Sequence, residues 1–309
     1  MPFIPPPDLP PWLAAELPFD RGAYRLEAGP DAGRRIHFID HGPRGARPVL
    51  MLHGNPTWSF LWRKVIRRLP EHRCVAPDLL GLGLSSTLGL EEHSVQRHSG
   101  AIAELVTELD LEGIILVAQD WGGPISAAAA ARFPDRVAAK LFANTGIALP
   151  DEYRLTKFHR FAHRPVLSQL AFRLLGFPQR ALHKAQHDPD SISGTVARAY
   201  RYPLRGWKRR AAPLALARMV PSSDDHPSVP ALERGELWAR TSAGPTALVW
   251  GVHDPVLGRA LGRHEEFFGD AEVTRVEAGH FLQEEVPDEL AAAVRRLVAR
   301  VEETAAATG

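Results

Sequence analysis

The sequence predicts an α/β protein, a mostly parallel central sheet flanked by helices and interrupted by a helical insertion. Three observations predict it. Short apolar runs alternate with longer helix-like segments at both ends of the chain, the pattern of parallel strands joined by crossover helices. Between those ends, from about residue 147 to 243, there is no convincing strand. And 309 residues with 45% hydrophobic content suffice to fill one large core.

After a proline-rich lead, the strands are expected at RRIHFID, PVLMLHG, RCVAPD and GIILVAQD, with a long helix from about Glu91 to Leu109 between the last two. The pattern resumes with PTALVWG, AEVTRVEAG and a final helix from about Pro287 to Glu303. The expected organisation is therefore a core in two parts, residues 1–146 and 244–309, carrying a helical cap over residues 147–243. Apolar patches such as VLSQLAFRLLGF suit cap helices.

Composition excludes several function classes. Lys+Arg 37 against Asp+Glu 36 leaves a net charge of +1, so no global field pulls the chain toward nucleic acid or anionic lipid, and neither is expected as a partner. The run Arg201, Arg205, Lys208, Arg209 and Arg210 reads as a solvated helical face. Cys74, the single cysteine, lies in an apolar strand and is expected to be a packed thiol. The lead has no basic region before an apolar run, and no apolar stretch reaches the roughly 18 residues of a membrane span. A cytoplasmic location is expected, with no metal and no cofactor; the oligomeric state is not legible.

The chemistry concentrates at Ile114-Ile115-Leu116-Val117-Ala118-Gln119-Asp120-Trp121-Gly122-Gly123, where a β-branched strand runs through a small-residue turn into a helix. This is the nucleophile elbow of the α/β-hydrolase fold, with Asp120 in place of serine and Ala118 in place of the first glycine. Pro124 suits the first helical turn, where its missing N–H costs nothing. A lone Asp there also reads as a helix N-cap, so its partners decide. Arg240-Thr241-Ser242-Ala243-Gly244, the rival serine elbow, precedes its strand and is set aside.

In this architecture the order along the chain is nucleophile, acid, histidine. Asp254 follows the strand VWG and His280 follows AEVTRVEAG, at the carboxyl ends of strands where reactive residues gather. A carboxylate is already ionised and attacks saturated carbon directly; the resulting ester belongs to the enzyme, so His280 need only deprotonate water while Asp254 orients its ring. Asn55, after the strand ending in His53-Gly54, and Trp121 offer backbone N–H groups to an ester carbonyl and uncharged side-chain N–H groups to a departing anion.

Together, HGNPTWSFLWR, CVAPDLLGLGLS, QDWGGPIS, VWGVHDP and GHFLQEE resemble the haloalkane dehalogenases over nearly the whole chain. The resemblance implies Asp120 as nucleophile, His280 as base, Asp254 as third catalytic acid, and Asn55 with Trp121 as the halide pair. It implies a small apolar halogenated substrate, with water consumed and halide released. Where one family branch carries its acid, this chain reads Phe142-Ala143-Asn144-Thr145-Gly146, so Asp254 takes that role, as in the third dehalogenase subfamily.

Three other readings stay open. The third subfamily resembles the β-lactone decarboxylases of olefin biosynthesis, whose cap is similar to AYRYPLRGWKRR. The elbow resembles that of epoxide hydrolases, which use cap tyrosines; Tyr153, Tyr200 and Tyr202 fall in the expected cap. A silent ligand-binding homologue is the fourth reading, disfavoured by the intact set of Asp120, Asp254 and His280. Phe281, Phe158, Phe161, Phe172 and Trp207 are candidates for an apolar pocket lining, though an aromatic in a helical cap is more often core.

Overall fold

A computed structural model describes residues 2–308. Its strands are β1 (Phe3–Ile4), β2 (Arg21–Arg25), β3 (Arg35–His41), β4 (Pro48–Leu52), β5 (Arg73–Pro77), β6 (Ile114–Asp120), β7 (Val137–Thr145), β8 (Thr246–Gly251) and β9 (Glu272–Val276). They form one sheet in the order β1-β2-β3-β5-β4-β6-β7-β8-β9. From β5 through β9 every neighbouring pair is parallel, while β1, β2 and β3 add an antiparallel edge.

The central strands are continuous apolar runs because both of their faces are covered. On β4, Val49 and Met51 enter one core with Ile115, Val117 and Leu141, packed under the helix Pro287–Thr308. Leu50 and Leu52 point the other way, into a core with Leu116, Ile102, Val106 and Ile125. The period-2 alternation of a strand thus divides one run between two cores. The second core lies under the helices Val95–Glu108 and Gly122–Ala130, and Val229–Thr241 packs on the latter. Ser94 accepts a hydrogen bond from the Arg97 N–H at 3.2 Å, an N-cap that starts its helix four residues after Glu91.

Three strands, β1, β2 and β7, are unannounced in the sequence. β1 is two residues long, and β2 has an arginine at each end of only five residues, so neither makes an apolar run. The apolar run of β7 is interrupted by Lys140, which is buried in the sheet and donates to the Ser242 carbonyl and hydroxyl at 3.0 and 2.9 Å. Burial pushes that ammonium down to about 8.

No strand lies between β7 and β8. The helices Lys157–Ala162 and Ala211–Arg218 enclose Phe172 in a small core with Ala162, Leu214 and Ala217. The expected helix in VLSQLAFRLLGF is an α-helix, Pro165–Gln169, continuing into a π-helical turn, Leu170–Leu174.

Candidate active site

β6 delivers Asp120 to the carboxyl edge of the sheet with φ of 51°, the left-handed region that L-residues avoid. The surroundings hold it there. Its carbonyl accepts from Thr145 Oγ1 at 2.6 Å, and its Oδ1 accepts from the Asn55 N–H at 2.6 Å. The Trp121 N–H also bonds the carboxylate. Glycine is required on both sides of this turn. A Cβ on Gly122 would stand 2.2 Å from the Leu52 carbonyl oxygen, and one on Gly54 would stand 2.1 Å from Asp120 Oδ1.

The loops after β8 and β9 bring the other two residues in. His280 Nδ1 donates to Asp254 Oδ2 at 2.9 Å, and His280 Nε2 lies 3.5 Å from Asp120 Oδ2. Asp254 is held in turn by the Val256 N–H at 2.7 Å. Burial works against charge on this histidine, but Asp254 and Asp120 outweigh it and push the imidazole up to about 10. Burial likewise opposes the Asp120 carboxylate; His280 and the two backbone N–H groups overcome it and hold the group below its ordinary value. At rest the site is an imidazolium between two carboxylates.

A cavity of about 490 Å³ opens over Asp120 and Trp121, within the usual range of roughly 300–1,000 Å³ for small-ligand sites. Pro124, Leu149, Val220 and Leu232 supply apolar walls. His159 joins them, its Nδ1 2.9 Å from the Thr156 hydroxyl; burial pushes it down to about 4, so its ring is neutral at neutral pH.

Asn55 is present with one side-chain N–H already committed, since its Nδ2 donates to the Pro213 carbonyl at 3.0 Å; the second N–H of the amide remains. The aromatic candidates for a lining lie away from the cavity, and most of them are core, the reading that sequence favoured. Phe158, Phe161 and Phe172 pack on one another in the insertion's own core, Phe281 is buried in the main core, and Trp207 is exposed beside Arg173. Of the tyrosines, Tyr153 lines the cavity, Tyr200 donates to Glu284, and Tyr202 meets Trp12 edge to face.

Several supporting residues escaped the sequence reading. Asn144, also left-handed at φ 39°, donates to the carbonyls of Gly279 and His280 at 2.8 and 3.1 Å and accepts from the Gly251 N–H at 2.9 Å, so it joins the loop of His280 to the end of β8. Gln119 donates to the His280 carbonyl at 3.1 Å. From the insertion, Gln186 accepts from the Phe281 N–H at 2.9 Å, and the His280 N–H donates to the Ala185 carbonyl at 2.7 Å. His53 Nδ1 bonds the Gly54 carbonyl and its Nε2 accepts from the Leu79 N–H at 3.0 Å, fixing the loop that presents Asn55. His53, Gln119 and Asn144 each close an apolar run, which marks a polar residue there but not its partner, and Gln186 in ALHKAQHDPD has no such mark. Elsewhere, among the described residues, His187, His253 and Glu277 bring exposed ligand-type atoms within 4.8 Å of one another, outside this cavity.

A family model described as alpha/beta hydrolase fold matches residues 47–287. Haloalkane dehalogenase 2 of Mycobacterium tuberculosis is 34% identical over 265 residues, covering 84% of this chain and 90% of the relative. A haloalkane dehalogenase of Psychrobacter cryohalolentis is 31% identical over 291 residues, covering 90% and 92%. Among solved structures, the haloalkane dehalogenase DatA of Agrobacterium tumefaciens superposes with a TM-score of 0.78 at 28% identity, covering 91% of this chain and 97% of that one.

Proposed function

The chain belongs to the haloalkane dehalogenase family of α/β hydrolases, and from that premise we propose that it hydrolyses alkyl halides through an ester on Asp120, R–X + H2O giving R–OH, X⁻ and H⁺. The observation that carries the reading is the chain of contacts from Asp120 through His280 to Asp254, beside a cavity shared with Trp121.

Asp120, held ionised, attacks the carbon bearing the halogen as the C–X bond breaks. The Trp121 indole N–H and the uncommitted Asn55 amide N–H meet the departing halide, adding no fixed charge to a largely apolar cavity. The new ester carbonyl lies between the backbone N–H groups of Asn55 and Trp121, which already bond the carboxylate at rest. Water attacks that carbonyl with His280 taking its proton, and Asp254 stabilises the imidazolium. Cap tyrosines offer little to an opened epoxide, because of the three only Tyr153 lines the cavity. The buried thiol of Cys74 suits a reducing cytoplasm, where we place the reaction.

Bromide and proton release from 1-bromobutane or 1,2-dibromoethane tests the activity, with Asp120→Ala as control. Release well above that control is expected; none across a panel of haloalkanes would sink it. The His280→Ala variant is expected to hold one alkyl group on Asp120 in the mass spectrum. An unmodified Asp120 after a measured halide burst would contradict the covalent route.

A further inference from the structure

The net charge of +1 conceals a strong asymmetry. Residues 153–223 hold fourteen Lys and Arg and only two acids, Asp188 and Asp190, a formal +12; the rest of the chain therefore carries −11. Separation of charge on that scale orients a protein toward a polyanionic partner even when the total is near zero.

The same region exposes apolar side chains where a water-facing surface would bury them. In the helix Pro165–Gln169 and its π-helical continuation, Val166, Leu167, Leu170, Leu174 and Leu175 are 42 to 69% exposed. Helical spacing puts Val166, Leu167, Leu170 and Leu174 on one stripe. Trp207, 47% exposed, extends the patch: Arg173 donates to its carbonyl at 3.2 Å and stacks on its ring at 4.0 Å. The segments that carry or adjoin the patch also expose Arg160, Arg164, Arg180, Arg205 and Lys208, none of which is in an ion pair among the described residues.

We propose that this leucine-rich, arginine-rimmed face docks the protein peripherally on an anionic phospholipid surface. Both halves of the pattern are needed for that partner: apolar side chains enter the boundary between headgroups and acyl chains, and the tryptophan and guanidinium groups sit at headgroup level. Nucleic acid would engage the cations and leave the exposed leucines in water. A second copy meeting the same face about a two-fold axis would cover the leucines but set like charge against like charge. The attachment is peripheral, because no described helix is long and apolar enough to cross a membrane. This inference is independent of the reaction assigned to Asp120.

The full-length protein is co-sedimented with phosphatidylcholine vesicles, with and without phosphatidylglycerol, at low and high salt. The expected result is partition onto the anionic vesicles alone, weakened at high salt as the roughly 8 Å physiological screening length shortens. Leu167→Glu with Leu174→Glu should lower the partition at least tenfold while circular dichroism and Tm stay unchanged, since both side chains face solvent; Arg160→Gln with Arg164→Gln should lower it less. Failure to bind anionic vesicles at low salt overturns the proposal. So does binding that ignores the leucine substitutions, or self-association in sedimentation velocity that disappears with them.

Discussion

In the proposed reaction His280 is the residue whose state must change during turnover, and the charges around it say in which direction. Between two carboxylates its imidazole is raised to about 10, so it rests protonated at neutral pH. Alkylation turns Asp120 into a neutral ester and removes one of the two anions that hold that proton. The pKa of His280 then falls from about 10, and the ring becomes the base the ester needs. Attack on the halide uses the ionised Asp120, whose pKa is below its ordinary value, and does not need neutral His280. The two half-reactions should therefore separate with pH: the halide burst in the first turnover stays constant from neutral to mildly acidic pH, while steady-state turnover falls as pH falls and alkyl-enzyme accumulates. Rapid quench with mass spectrometry measures both. A burst that declines in parallel with turnover would show that His280 acts before the ester forms.

At the scale of the element, the turn from β6 into the helix Gly122–Ala130 is where packing is least forgiving. The Cβ of Gly122→Ala would press on the Leu52 carbonyl, part of the backbone of β4, which cannot swing aside as a side chain would. Overpacking of this kind costs about 1–3 kcal/mol, so Tm should drop by several degrees, and the Asp120 turn should shift enough to reduce halide release. An unchanged Tm would mean that the two strands part more easily than their hydrogen-bonded register suggests. The elbow was legible in sequence because its demands are local: β-branched residues, an acid, then two glycines. The carboxyl-edge positions of Asp254 and His280 were legible for the same reason, the first following an apolar strand and the second a short strand marked by its β-branched residues. Asn144, Gln119 and Gln186 were not, since their partners are backbone carbonyls and N–H groups supplied by remote segments, and no spacing marks such bonds. The aromatic residues were ambiguous in sequence because size and apolarity do not distinguish a cavity wall from the insertion's own core, where Phe172 is completely enclosed.

At the scale of the whole molecule, one buried carboxylate ties three distant stretches together. Glu284, two residues beyond the start of the helix that follows His280, accepts from Arg63 Nη2 at 2.9 Å through Oε2 and from the Tyr200 hydroxyl through Oε1, while Lys64 Nζ lies 3.1 Å away. Arg63 begins the helix that follows the Asn55 loop, and Tyr200 belongs to Gly194–Arg201 in the insertion. Arg63 and Glu284 are both almost completely buried, so the pair cannot lose one member to solvent. Glu284→Gln leaves the guanidinium uncompensated, which in buried pairs costs about 3–5 kcal/mol, and should lower Tm by roughly 5–10 °C. Replacing the whole cluster with apolar residues of similar shape, Arg63→Met, Tyr200→Phe and Glu284→Leu, should recover most of that stability, because no buried charge is then left alone. Activity should separate the two variants from wild type differently: if the cluster also holds the insertion against the loop of His280, the apolar triple variant regains Tm and keeps its KM, whereas Glu284→Gln raises KM together with the loss of Tm. Thermal unfolding and bromide-release kinetics on both variants decide it, and a Glu284→Gln protein that unfolds within about 1 °C of wild type would show that the cluster carries no such weight.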